Sequence, residues 1–303
     1  MPLLLPSPFQ ALTVPGTPRG IFMMLMAGLS GVLMVAIIRD VTQGMHLFQA
    51  AFLRTLFGLM MFLPWFLPRR LHSLSTQRLG LHMARAVLQV GGILAFFMGV
   101  SMTPLATVAA LGFTTPLFST ILALIILGEI IRARRITALA VGFAGTWVIL
   151  RPGMIEPDAG ALFVLLASMI WGVTSIIIKL LSRTDSSIAL AVYPSVLVIP
   201  LTFIVALPVW ETPTAAQLGL LVLAGALNNV DTVCFALAMK NAELTAVLPA
   251  DFMKLVWATM IGYFLFAETP DIWTFVGAVM IFAAVAYIAY RESQLRAKST
   301  NAP

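Results

Sequence analysis

The sequence predicts an all-α integral membrane protein: ten transmembrane helices arranged as two inverted five-helix repeats. Three observations predict it, namely an apolar composition, a series of bilayer-length apolar runs and an internal repeat. Of 303 residues, 60% are hydrophobic and 10% charged, with a mean hydropathy of +1.01. Soluble domains are typically about 45–50% apolar and about 25% charged. This chain carries too little charge to coat a water-exposed surface, which excludes a soluble enzyme, a disordered tail protein and a disulfide-stapled secreted domain. Cys234 is the sole cysteine, so no intrachain disulfide or CxxC metal site exists. No HExxH, P-loop or dinucleotide fingerprint occurs, so no metal or cofactor is expected.

Residues 1–18 hold Pro2, Pro6, Pro8, Pro15 and Pro18 and no positive charge. A secretory signal wants a basic start and an unbroken apolar stretch, so this segment reads as an irregular cytoplasmic lead-in. A helix needs about 20 mostly apolar residues to cross a bilayer. The first five such stretches lie near 20–38, 47–67, 80–101, 104–127 and 136–151, making a first repeat over 19–151. The next five lie near 159–181, 187–209, 216–239, 244–266 and 272–290, making a second over 159–290. The runs do not alternate apolar with polar, so helices rather than barrel strands are expected. Residues 291–303 form a polar, basic tail expected to fray in the cytoplasm.

Lys and Arg fix the orientation. With the N-terminus inside, thirteen of them fall in inner segments, against Arg39 and Arg151 outside. Both termini are therefore expected in the cytoplasm, with the protein in the inner membrane. The same bias accounts for the formal charge of +6. No interleaved basic and aromatic groove suggests nucleic acid, so the expected partners are the lipid bilayer and a small-molecule substrate.

Shifted by 139 residues, the two halves align: Leu105 meets Leu244, Phe113 meets Phe252, Thr120 meets Thr259 and Glu129 meets Glu268. Gln89 meets Asn228 and, with one residue of slip, Arg39 meets Lys179. Five helices per repeat is odd, so the second copy is expected to sit upside down. Inverted repeats around a midplane site characterise secondary transporters, whose halves exchange inward-open and outward-open shapes.

Several motifs carry a family likeness: Arg54 in "FQAAFLRTLFGL", "PLFSTILALIILGE" closing on Glu129, "GYFLFAE" closing on Glu268, "ASMIWGVTSIIIK" with Trp171 and Lys179, and "GFAGTWVILRPG". On these, the chain resembles the ten-helix, EamA-type members of the drug/metabolite transporter superfamily over about residues 19–290. The resemblance implies a secondary transporter of a small organic metabolite. Relatives carry amino acids, riboflavin, S-adenosylmethionine or nucleotide sugars along a path lined by spans 1, 3, 4, 6, 8 and 9. The chain departs at Gly31, where the second repeat has the family-typical Trp171, so the two gates are not expected to be equivalent.

Arg54, Arg85, Asp231, Asp251 and Lys254 fall within spans. Each costs about 2.5–3.5 kcal/mol at the bilayer centre on insertion scales, so each should face a cavity or a partner. At 1.5 Å per residue, Asp231, Asp251 and Lys254 lie about 10–15 Å from the inner edge, at one level on spans 8 and 9. Asn228 shares a face with Asp231, and Asp251, Lys254 and Trp257 share another. A polar cluster of Asn228, Asp231, Asp251 and Lys254 is therefore expected between spans 8 and 9. It reads either as a substrate site, with proton coupling through Asp231 or Asp251, or as a structural ion pair with a bystander carboxylate.

Arg85 and Gln89 share a face of span 3, and Arg85 suits anchoring and cavity lining equally. Arg54 reads as structural. Trp171, Trp257 and Phe113 sit on path-lining spans and either stack on a substrate or fill space. Glu129 and Glu268 end their spans as salt-bridged corners or as gate latches.

The expected function is a transporter rather than an enzyme, with an amino acid or derivative ranked ahead of a vitamin or nucleoside-type metabolite such as riboflavin or S-adenosylmethionine. Two intramembrane aspartates also suggest an aspartyl protease using Asp231 and Asp251. The GxGD motif of that class is missing, however, and Lys254 beside Asp251 would hold a carboxylate ionised. The "GLSG" at Ser30 lacks a histidine within its span.

Overall fold

The computed structural model describes residues 17–66, 76–127, 133–151, 158–242, 244–269 and 271–300. Among these the regular structure is helical, with no strand. The elements are α1 (Thr17–Val41), α2 (Leu47–Phe66), α3 (Leu79–Met102), α4 (Leu105–Gly112), α5 (Thr115–Leu127), α6 (Ala133–Leu150), α7 (Ala159–Leu181), α8 (Ser187–Ala206), α9 (Ala215–Asn241), α10 (Leu244–Asp251), α11 (Met253–Phe266) and α12 (Ile272–Thr300). Among the described residues, seven stretches are long and apolar enough to cross a membrane: Pro18–Val41, Leu79–Met102, Leu105–Ile126, Ala159–Leu181, Val192–Val209, Ala215–Asn241 and Ile272–Tyr290. Leu47–Met61 and Ile136–Leu150 are shorter apolar helices. Phe264, Ile125, Trp147 and Ile272 stand largely exposed on the outside, as apolar side chains do where lipid replaces water.

Local chemistry sets the ends. Thr214 and Gln217 form a capping box on α9, and the Asp158 carboxylate accepts the Ala161 N–H to cap α7. Two spans are interrupted. α4 gives way to α5 at Phe113–Thr114, just before Pro116, and α10 gives way to α11 at Phe252, three residues after Pro249. Proline removes a helical hydrogen bond and crowds the preceding turn. The two interruptions fall at positions matched by the internal repeat, and their phenylalanines meet: the Phe113 and Phe252 rings stack with centroids 5.6 Å apart.

The tail departs from expectation. α12 continues to Thr300, past the fraying expected at residue 291. The segment RESQLRAKST is rich in strong helix formers, and no Gly or Pro stops the preceding helix.

Packing crosses between the halves. α1 lies along α9, α3 along α7, and α6 along α12. Buried side chains of α1, α2, α3, α8 and α9 form one apolar cluster; those of α3 to α7, α11 and α12 form a second. The α6–α12 crossing depends on two glycines. A Cβ on Gly277 would come within 2.4 Å of the Gly145 carbonyl oxygen, and one on Gly145 within 2.7 Å of the Gly277 carbonyl oxygen.

At the end of α3 a polar corner holds the α7–α8 connection. His82 is fully buried, its Nε2 lies 2.8 Å from Asp185 Oδ2, and its ring packs on Tyr193. The Thr76 hydroxyl donates to the same oxygen at 2.6 Å. Hydrogen bonds from Thr76 and His82 hold the Asp185 carboxyl below the usual carboxylate range, against the opposing effect of burial.

Two outcomes follow from these contacts. Gly277→Ala should lower stability by about 1–3 kcal/mol through overpacking against backbone. Gly219→Ala, with open space around it, should be neutral or gain up to about 1 kcal/mol from helix propensity; thermal melts in detergent compare the two. A carboxyl with a depressed folded pKa stabilises above its unfolded pKa of about 3.9, and that stability is lost as pH falls through the lower folded value. The stability gap between wild type and Asp185→Asn should therefore be full at about pH 6 and should shrink as pH drops below about 4.

Candidate functional site

A cavity of about 420 Å³ opens between the halves, within the range of small-molecule sites. Phe113, Phe235 and Phe282 form aromatic wall, Met24 and Met239 add thioethers, and the charged lining is one carboxylate, Asp251, and one ammonium, Lys179. Phe252, at the α10–α11 break, packs on both Phe113 and Phe282, with centroids 5.6 and 4.5 Å away. The repeat alignment had paired Phe113 with Phe252, and the fold puts the two in contact.

The charged residues assemble differently from a simple pair of facing helices. α9 barely touches α10, because α1 packs against α9, α10 and α11. Two glycines of α1 make this possible. A Cβ on Gly28 would lie 3.0 Å from Lys254 Cγ, and one on Gly31 would lie 3.1 Å from Asp231 Oδ2. Lys254 Nζ pairs with Asp251 Oδ1 at 2.8 Å, one turn away, and sits 5.7 Å from the Phe235 ring centroid. Asp231 makes no ion pair among the described residues but lies within electrostatic reach of Lys254 and Asp251.

Asn228 turns elsewhere. Its Oδ1 accepts from Arg54 Nη1 at 2.7 Å, and the buried Arg54 guanidinium lies 5.4 Å from the Phe97 ring. Sequence spacing gave no sign of this pairing, because Arg54 and Asn228 belong to different repeats.

The remaining sequence-derived residues are dispersed. Trp171 faces Gly92, where a Cβ would come within 2.7 Å of Nε1, and packs on Phe96. Trp257 packs beside Val32, Ala36 and Leu105. Both indole N–H groups are buried without an acceptor among the described residues. Arg85 donates to the Leu190 carbonyl on α8 at 2.8 Å, and Gln89 is half-buried on α3.

Gly31 and Trp171 hold matching places in the repeat, as do Asp231 and Gly92. Each interface thus seats one large or charged side chain against a glycine, with the roles exchanged.

Glu268 closes the end opposite the cavity mouth. It pairs with Arg39, and its Oε2 accepts the Leu105 N–H at 2.9 Å. Arg39 also donates to the Thr103 carbonyl and lies over the Phe266 ring, and the Thr103 hydroxyl bonds Asp158 at the start of α7. Arg151 pairs with Asp271, three residues after Glu268 and in the other half from Arg151. Ala267 adopts φ 52°, in the left-handed region, and turns Glu268 back over Gly262, where a Cβ would meet Oε2 at 2.4 Å. Glu129 lies outside the described residues.

The model of the EamA-like transporter family matches twice, over residues 18–151 and 158–290. An S-adenosylmethionine uptake transporter of Rickettsia bellii is 30% identical over 254 residues, covering 84% of this chain and 87% of the relative. A riboflavin transporter of Rhizobium johnstonii is 31% identical over 251 residues, covering 82% and 83%. A solved crystal structure with 16% identity superposes with a TM-score of 0.59 over 88% of this chain and 98% of the other, which shows likeness of fold.

Glu268→Ala should cost about 1–3 kcal/mol, since it strands the Leu105 N–H and the Arg39 guanidinium. Glu268→Gln, which still accepts the Leu105 bond, should cost less; melting of the detergent-solubilised variants checks the order.

Proposed function

The chain belongs to the EamA-like transporter family, and we propose that it carries a small organic cation of the S-adenosylmethionine type across the inner membrane by alternating access. The accompanying topology is ten spans in two inverted repeats, 19–151 and 159–290, with both termini in the cytoplasm. The matching helix bounds of the two halves and the asymmetry of Lys and Arg support it.

The observation that carries the substrate class is the Asp251 carboxylate set in a cavity wall of phenylalanines. Aromatic faces attract cations and stack on planar rings. S-adenosylmethionine offers both, with a purine at one end and sulfonium and ammonium groups at the other, and its α-carboxylate has a cation, Lys179, in the same cavity wall.

The initial preference for a plain amino acid is not retained. It rested on a site that offers a zwitterion both Lys254 and a free carboxylate, and in the empty protein Lys254 pairs with Asp251. The relatives named for S-adenosylmethionine and riboflavin support the nucleoside-type or vitamin alternative. Riboflavin is the second reading, favoured by the same aromatic wall, but an uncharged ring system leaves Asp251 without a task. Asp231 and Asp251 also stand as groups for proton coupling; uptake indifferent to an imposed proton gradient would overturn that role.

Purified protein in liposomes should show saturable uptake of radiolabelled S-adenosylmethionine. Asp251→Asn should reduce it by about tenfold or more, because the variant removes the charge that offsets the cation's desolvation. Uptake of riboflavin alone would shift the assignment to the second reading, and uptake of neither would refute both.

A further inference from the structure

We infer that Lys254 is a tethered stand-in for the substrate's cationic group: its ammonium occupies the Asp251–Phe235 site in the empty carrier and yields it to an entering organic cation. This rests on the reading of the cavity as a cation site. The Lys254 ammonium already makes the contacts such a cation would seek. It lies 2.8 Å from Asp251 Oδ1 and 5.7 Å from the Phe235 ring centroid, within cation–π range. Asp251 and Phe235 both line the cavity, so an incoming ligand reaches the same two groups. The Lys254 and Asp251 side chains are 27% and 18% exposed, while Asp251 Oδ1 itself is buried.

A displaced Lys254 has somewhere to go. Asp231 is a second carboxylate within its electrostatic reach and carries no ion pair among the described residues. Gly28 and Gly31 keep the intervening face of α1 free of side chains, one against the lysine stem and the other against the Asp231 carboxylate. Of the neighbouring cations, Arg54 is held by Asn228 and Phe97, and Lys179 lines the same cavity as Asp251.

The role has a kinetic consequence. An empty carrier must reorient with Asp251 in hydrocarbon, where an unpaired carboxylate is costly. Lys254 neutralises it on the return stroke, and the substrate cation does so on the loaded stroke. Without Lys254 the loaded carrier still cycles, but the empty one stalls. The carrier then exchanges substrate for substrate and no longer accumulates it.

The test uses the full chain in proteoliposomes with radiolabelled S-adenosylmethionine in two modes, net uptake into empty vesicles and exchange against unlabelled internal S-adenosylmethionine. Lys254→Ala and Lys254→Gln should lose net uptake by about tenfold or more while exchange persists, reflecting the cost of a bare midplane carboxylate. Retained exchange also proves folding. Removing an internal competitor should tighten binding, with Kd for S-adenosylmethionine falling by about threefold or more, as expected when the binding-competent fraction rises.

A structural ion pair predicts the reverse: equal loss of both modes with weaker or unchanged binding. That result overturns the inference. If neither variant is monodisperse, Lys254→Arg, which keeps the ion pair, should retain both modes, and selective loss of net uptake there overturns it as well. A wild-type protein that neither binds nor moves S-adenosylmethionine fails at the substrate assignment, a separate outcome read before any variant.

Discussion

Close approach of helices from opposite halves, made possible by glycine, is the constraint on which the rest of the structure depends. In hydrocarbon, apolar side chains gain little by burying against each other rather than lipid, so association relies on van der Waals fit and interhelical polar contacts. The fold meets this at three crossings. Gly145 and Gly277 put backbone against backbone between α6 and α12. Gly31 accepts the Asp231 carboxylate between α1 and α9, and Gly92 accepts the Trp171 indole between α7 and α3. A Cβ on Gly145, Gly277 or Gly92 would collide with its partner and one on Gly31 would crowd the Asp231 carboxylate, so the pairing of helices and the placement of these side chains are decided together.

The exchange of roles at the last two crossings gives the molecule a polarity that its internal repeat lacks. One half-interface holds a carboxylate near a lysine and a second carboxylate, while the other holds an indole among aromatics. The broken spans reinforce this. Pro249 and Pro116 mark the interruptions at which Phe252 and Phe113 leave the regular helix, and the two rings meet beside the cavity. A bulky apolar contact between two interrupted helices can part and re-form without breaking a hydrogen bond, which suits elements that move.

Buried charge is arranged with matching economy. Lys254 and Asp251 neutralise each other, Arg54 is received by an amide and a ring, and Glu268 ties Arg39 to the start of α4. The Glu268 corner joins α1, α3, α4 and α7 through Arg39, Thr103 and Asp158. It fastens one end of the molecule while the cavity occupies the other. Polar groups in hydrocarbon are expensive unless satisfied, so these contacts act as the fixed points of an otherwise apolar bundle.

Hydropathy alone determined the helical class and the apolar segments, though not the breaks inside 104–127 and 244–266, because a bilayer imposes a length and an internal hydrogen-bonding requirement on any crossing segment. The repeat was equally legible, and with it the correspondence of Phe113 to Phe252, since matched residues survive in sequence order. The helical extension of α12 to Thr300 was missed because charge was read as fraying where local propensity favours helix. Asp251 and Lys254 were legible as a pair, being one turn apart on a single helix. Arg54 with Asn228, Gly31 with Asp231, and Gly28 with Lys254 were not. Their partners lie on different helices, and which helices touch is set by interhelical fit rather than by the period of either segment. Gly31 and Gly92 each stood out in the repeat alignment as a missing side chain, but only the crossing of α1 with α9 and of α3 with α7 shows what fills each space. The sequence thus determined the segments and the chemistry they carry; the tertiary structure decided which groups meet, because a side chain that is absent specifies room without naming its occupant.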